Sequence, residues 1–142
     1  MAHKERAFAD SNFFIAFFNI SDKLHQRAKT IANEILAQNT QLVISNYIFL
    51  EVVTVLSQRI GKFTALEVGK YFLENSSIQT IHIDEELQRY SWQIFQEVKD
   101  KNIGFVDCSI IAAMKAEGIS HLLTFDIKDF QKLKKSYSFM FF

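Results

Sequence analysis

The chain has 142 residues, enough for one ordinary domain. Nearly half of them are apolar, fifteen being Phe, which supplies a core and excludes a disordered chain. Lysine plus arginine balances aspartate plus glutamate at 16 each, so no overall basic charge points to nucleic acid and any such contact must be local. The single cysteine, Cys108, excludes an internal disulfide and a multi-cysteine zinc site, and predicts a reducing, cytoplasmic setting.

Residues 6–10 read as a short buried strand, followed by one or two helical turns over Asn12–Phe18. Lys4 and Arg6 ahead of the Phe13–Phe18 run faintly resemble a signal peptide. Asp10, Ser11 and Asn12 interrupt the apolar stretch, however, and no small-residue cleavage site follows. The Phe-rich run is read as core. Ser21-Asp22 looks like a helix start, with Leu24, Ala28, Ile31, Ile35 and Leu36 at helical spacing. Gln41–Ser45 is a second strand. Ser45 or Asn46 caps the next helix, which runs to about Arg59 and stops at Gly61. Thr64–Glu74 is a helix and Ile78–Ile83 a third strand. Asp84–Lys101 reads as a long helix with Leu87, Tyr90, Ile94 and Val98 on one face. Asp107–Glu117 is a helix ended by Gly118, His121–Phe125 a fourth strand, Lys128–Leu133 a short helical turn and Tyr137–Phe142 a weak final strand.

Strands alternating with helices predict an α/β fold with a parallel sheet covered on both faces, whose ligands bind at the carboxyl ends of the strands. With no proline and four glycines, no linker or boundary divides the chain, which reads as a single domain over 1–142. No stretch approaches the roughly 20 apolar residues that span a bilayer, so no membrane role is expected.

Four acids stand where buried elements are predicted. Asp10 ends the first strand, Glu51 lies among Ile48, Phe49, Leu50, Val52 and Val53, Asp107 follows Ile103-Gly104-Phe105-Val106, and Asp126 closes Leu122-Leu123-Thr124-Phe125. An unpaired buried carboxylate costs several kcal/mol or shifts its pKa. Each has a structural alternative. Asp10, Asp107 and Asp126 can cap the helices that follow them. Glu51, in mid-helix, caps nothing and is otherwise a solvated edge position beside Ile48 and Val55. Convergence on a divalent cation accounts for all four together. A set of carboxylates without His or Cys suits Mg²⁺ or Mn²⁺, and such ions promote phosphodiester hydrolysis.

The motifs Phe8-Ala9-Asp10-Ser11-Asn12, Ser45 with Phe49-Leu50-Glu51-Val52-Val53, Phe105-Val106-Asp107-Cys108-Ser109 with Ile110 to Ala113, and Leu122-Leu123-Thr124-Phe125-Asp126-Ile127-Lys128-Asp129-Phe130 together resemble the PIN-domain ribonucleases. The likeness is strongest to VapC-type toxins, and it spans nearly the whole chain in the family's order and spacing. The resemblance implies a three-layer α/β/α sandwich with a parallel sheet of about five strands. It also implies metal-dependent endoribonuclease activity, frequent homodimers and often a cognate antitoxin. By motif position Asp10, Glu51, Asp107 and Asp126 take the family's acidic, metal-holding roles. Ser11, Asn12 and Thr124 take its supporting roles, and Asp129 is an additional or substitute fourth acid.

Lys128 and Lys132, within a lysine cluster after Asp126, are either a solvated face or contacts to RNA phosphates. The four histidines lack ligand spacing, and Cys108 reads as a small buried hydrophobe. No Gly-x-x-x-x-Gly-Lys or Gly-x-Gly-x-x-Gly motif supports a nucleotide-binding class. Two rivals stand beside the nuclease: a non-catalytic PIN-like module that binds RNA or protein, and a metal-dependent phosphatase or phosphoacceptor domain. The latter needs an Asp-x-Asp pair that Asp10-Ser11-Asn12 lacks.

Overall fold

A computed structural model describes residues 4–142. Among them the elements run β1 (Arg6–Ala9), α1 (Ser11–Phe18), α2 (His25–Ala37), β2 (Gln41–Ser45), α3 (Asn46–Arg59), α4 (Lys62–Glu74), β3 (Ile78–Ile81), α5 (Glu85–Glu97), α6 (Phe105–Glu117), β4 (His121–Leu123), α7 (Ile127–Lys134) and β5 (Met140–Phe141). The strands form one sheet of order β3-β2-β1-β4-β5. Every pairing is parallel, with Phe8 opposite Val43 on one side and Leu122 on the other.

The chain leaves the centre at β1, steps outward through β2 to β3, then crosses back to build β4 and β5 on the other side. Right-handed crossovers therefore put α1 to α4 on one face and the helices after β3 on the opposite face. The packing agrees: α1 meets α2 and α3, α3 meets α4, and α5 meets α6. The strand order reverses between β1 and β4, so their carboxyl ends part there into a crevice, the usual ligand site of such sheets.

The central strand is wholly apolar inside, with Ala7, Phe8 and Ala9 fully buried. Helix α6 is nearly as enclosed, burying every residue from Cys108 to Met114, which explains its continuous apolar sequence. Phe13 and Phe14 are core residues as the Phe-rich run predicts, and they pack edge to face. Ser45 is the cap of α3, its hydroxyl accepting from Ile48 N at 3.3 Å. Asn46 instead accepts from Ile83 N at 2.6 Å and ties α3 to the end of β3. Gly118 ends α6 in the left-handed region, at φ 66°, a conformation that costs glycine least.

The boundaries differ from the sequence expectations at several elements: α2 starts at His25 rather than Ser21-Asp22, α4 at Lys62 rather than Thr64, β3 ends at Ile81 rather than Ile83, and β5 is only Met140–Phe141. Helix α5 stops at Glu97 rather than Lys101. Asp100 Oδ1 accepts from Asn102 N at 2.8 Å, and this local turn replaces the last helical turn. Helix α6 begins two residues earlier than expected, so Asp107 lies inside its first turn. Strand β4 ends at Leu123, before Phe125, and just beyond it the Thr124 hydroxyl bonds to Asp10 and to the amide of Asp126. In addition, Leu36, expected on the buried stripe of α2, is 78% exposed. Among the described residues no helix is long and apolar enough to cross a membrane.

Candidate active site

Asp10 is the first residue beyond β1, and its amide still donates to Leu123 O at 2.9 Å, so the end of β1 is locked to the end of β4. The Asp10 side chain is only 6% exposed. Its Oδ1 accepts from Ser11 N at 2.8 Å, capping α1, and its Oδ2 accepts from Thr124 Oγ1 at 2.9 Å. The capping alternative and the inward-facing alternative therefore coexist in one residue. Ser11 Oγ donates to Glu51 Oε1 and lies 3.5 Å from Asp10 Oδ1. A single hydroxyl thus connects the β1 acid to the α3 acid.

Asn12 is the clamp on the opposite side. Its Oδ1 accepts from Phe125 N at 3.0 Å, while its Nδ2 donates to Thr124 Oγ1 at 3.1 Å and reaches Asp10 Oδ2 at 3.4 Å. Thr124 Oγ1 also accepts from Asp126 N at 3.0 Å. The three supporting residues expected from sequence all bond directly to Asp10 or Glu51 or to the loop carrying Asp126. Among the described residues no buried side-chain nitrogen or oxygen is left without a hydrogen bond.

Asp107 occupies the third position of α6, and its Oδ2 accepts from Gly104 N at 3.1 Å. This is half of a capping box, since Gly104 has no side chain to return the bond. Asp126 is the cap residue of α7; its carboxylate makes no close capping bond, and the Asp129 amide only partly offsets the rise in its pKa. It lies three residues past the end of β4, on the loop after the strand.

Electrostatics join the two groups. Burial pushes Asp10 up to about 7, against the Thr124 and Ser11 hydrogen bonds, and Asp107 and Glu51 add repulsion. Burial also pushes Asp107 up to about 6 against the Gly104 bond, with Asp126, Asp129 and Glu51 adding to the rise. Asp126 is raised by burial first and then by Asp129 beside it. None of Asp10, Glu51, Asp107 or Asp126 forms a salt bridge among the described residues. Asp129 does, to Lys132 Nζ at 3.6 Å.

Asp10, Glu51, Asp107 and Asp126 are hard oxygen donors without a salt-bridge partner among the described residues, which is the chemistry a small divalent cation takes. Among the described residues no three His, Cys, Asp or Glu side chains are drawn together tightly enough to ligate one ion in the arrangement seen.

Other sequence candidates fall elsewhere. Lys132 donates to Asp100 at 2.6 Å as well as facing Asp129, so it is an internal partner of α7, whereas Lys128 is exposed. Burial pushes the Cys108 thiol up to about 11, with Asp107 adding to the rise, which makes it a poor nucleophile at neutral pH. His82 is exposed just past β3 and His25 Nδ1 meets Ala16 O at 2.9 Å; His3 lies outside the described residues. A feature with no clear sequence signal is Arg27 of α2, whose guanidinium carbon lies 5.5 Å from the centroid of the Phe125 ring. Away from the acids, α1, α2 and α4 border an apolar groove of about 220 Å³ lined by Phe13, Phe17, Phe18, Ile35, Leu36 and Tyr71.

Comparison with known proteins is consistent with this architecture. The PIN domain family model matches residues 7–136. The 23S rRNA-specific endonuclease VapC20 of Mycobacterium tuberculosis is 27% identical over 119 residues, covering 84% of this chain and 88% of the relative. The crystal structure of that protein, described as a Sarcin-Ricin loop cleaving toxin, superposes with a TM-score of 0.77 at 24% identity, over 89% of this chain and 94% of the other. A toxin–antitoxin complex from Klebsiella pneumoniae gives a TM-score of 0.62 at 22% identity, over 87% and 89%. At these identities the superpositions show the fold.

Proposed function

The chain belongs to the PIN-domain family, and from that premise we propose that it is an endoribonuclease whose active site is the acid cluster between β1 and β4, working with bound Mg²⁺ or Mn²⁺. The observation that carries this reading is the charge arrangement. Asp10 feels Asp107 and Glu51, and Asp107 feels Asp126 and Glu51, yet none of the four forms a salt bridge among the described residues, and Lys132 offsets Asp126 only in small part. Asp10 is buried and the other three are partly buried, and a crowd of acids of that kind is costly unless a cation enters it. The relative VapC20 is itself named an endonuclease.

Asp10, Asp107 and Asp126 would hold the metal, and Glu51, positioned by Ser11, would hold it through water or orient the attacking water. The cation supplies Lewis acidity, lowering the pKa of water and stabilising charge on the phosphate oxygens. Thr124 and Asn12 keep Asp10 oriented and fix the loop that carries Asp126. Asp129, already facing Lys132, balances that loop and is the substitute acid.

The toxin role follows the same likeness, because relatives of this fold include a toxin and a toxin–antitoxin complex. In that role the chain has a cognate antitoxin as partner and acts on cytoplasmic RNA. Phe63, Leu66 and Leu73 are more than half exposed along one face of α4, which supports a homodimer.

Purified protein incubated with RNA should cut it in Mg²⁺ or Mn²⁺ and stop cutting in EDTA. Cleavage that persists unchanged in EDTA would overturn the metal-dependent reading. Tight RNA binding without cleavage under any divalent cation would favour the non-catalytic module.

A further inference from the structure

We infer that Arg27 is an RNA-contacting residue whose guanidinium, laid on the Phe125 ring at the rim of the acid cluster, takes a backbone phosphate flanking the one that is cut. This role rests on the nuclease reading above. A cation over an aromatic ring is ordinary in a chain of this size, and Lys134 over Phe141 is a second case remote from the acids. What distinguishes Arg27 is the ring beneath it. Phe125 lies between Thr124 and Asp126 in sequence, its amide donates to Asn12 Oδ1 at 3.0 Å, and its ring lies 6.4 Å from that of Phe13. Asn12 is the residue that also reaches Thr124 and Asp10. The backbone of the platform under Arg27 is therefore held by Asn12, the residue that also orients Asp10.

Each remaining arginine has a local role in the fold. Arg6 faces Glu117 at 3.6 Å and Arg89 faces Glu85 at 2.7 Å. Arg59 lies in the last turn of α3, where the helix dipole favours a cation and more than two turns beyond Glu51. Arg27 is exposed, and among the described residues it forms neither a salt bridge nor a side-chain hydrogen bond. Its fork of donors is available, and the Phe125 ring 5.5 Å away gives the guanidinium a fixed neighbour, which suits two-point recognition of phosphate.

The charge balance calls for such a group. A cluster of carboxylates repels a polyanion, and a bound cation offsets that repulsion only at the phosphate it touches. Phosphates on either side need their own partner, and that contact positions the strand without reading its sequence.

The test compares wild type with Arg27→Ala, Arg27→Lys and Phe125→Leu. Cleavage kinetics are measured on one RNA oligonucleotide in Mg²⁺, together with anisotropy binding of that RNA to each variant in an uncleaving Asp10→Asn background. Arg27→Ala should raise KM about five- to tenfold with kcat within about twofold. It should also flatten the dependence of log K on log salt by about 0.7 to 1, the loss of one phosphate contact. Arg27→Lys, which keeps the charge without the planar fork, should restore the salt slope but only part of KM. Phe125→Leu should raise KM less than Arg27→Ala. Wild-type KM and salt slope in Arg27→Ala would overturn the inference while leaving the nuclease reading intact, as would a lowered Tm with KM unchanged. A wild-type chain that neither binds nor cuts any RNA would overturn both.

Discussion

Thr124 Oγ1 donates to Asp10 Oδ2 across 2.9 Å, joining residues 114 positions apart at the ends of neighbouring strands. The direction of that bond is forced. The same hydroxyl accepts from Asn12 Nδ2 at 3.1 Å and from Asp126 N at 3.0 Å, so its one proton has only Asp10 to go to. Thr124 thus holds the buried acid in its charged orientation while anchoring the loop of another acid.

Replacing Thr124 by valine keeps the shape and removes three hydrogen bonds at once. We expect Thr124→Val to destabilise the protein by about 1–3 kcal/mol, the usual cost of unsatisfied buried polar groups, and to reduce cleavage as well. Thr124→Ser should recover most of both. Urea melts and initial rates measure the two effects. A valine variant with wild-type stability would show that the bond matters little.

The raised carboxyls set a pH dependence of unusual sign. Asp10 titrates near 3.8 in the unfolded chain and at about 7 in the folded one, and Asp107 moves from 3.8 to about 6. The folded state therefore binds these protons more tightly. Their contribution to stability is complete below pH 3.8 and is lost as pH rises through about 6 and then about 7. Asp100, lowered by the Lys132 hydrogen bond, works oppositely but in the range below its ordinary pKa. In EDTA, Tm should accordingly be higher at pH 5 than at pH 8. Added Mn²⁺ should raise Tm most at pH 8, because a cation binds the ionised acids. A Tm in EDTA that climbs steadily from pH 5 to pH 8 would contradict the burial and crowding that raise these groups.

Glu51→Gln keeps an acceptor for the Ser11 hydroxyl but removes the charge. The fold should persist, and cleavage should fall by about 10²-fold or more, the scale on which positioned acid–base groups act. Circular dichroism and single-turnover rates separate the two outcomes. Wild-type cleavage in this variant would return Glu51 to the status of a solvated edge residue.

Much of this arrangement was legible in the sequence because the sheet is parallel and buried. Strands such as Arg6–Ala9 and Gln41–Ser45 read as short apolar runs, and the helices between them carry caps or stop signals at Ser45, Gly61 and Gly118. Glu51 stood out because a mid-helix acid among apolar neighbours has no local purpose. Less could be read where tertiary bonds overrule local pattern. Thr124 continues an apolar strand in sequence, yet β4 ends before it and its hydroxyl bonds to Asp10. The Asp100 turn follows the early end of α5 and takes up Lys132, which the sequence offered as a solvated residue or an RNA contact. Arg27 is 98 positions from Phe125, and no periodicity could have placed one on the other.

The central claim is that Asp10 and Asp107 serve one metal-dependent cleavage site, and replacing each carboxylate by an amide of the same shape tests it most directly. RNA cleavage in Mg²⁺ or Mn²⁺ should be measured for wild type, Asp10→Asn and Asp107→Asn, with folding of all three checked by thermal melts. We predict that wild type cuts, that EDTA abolishes the cutting, and that both variants fold but do not cleave. Folded variants that both cleave at the wild-type rate would contradict the account.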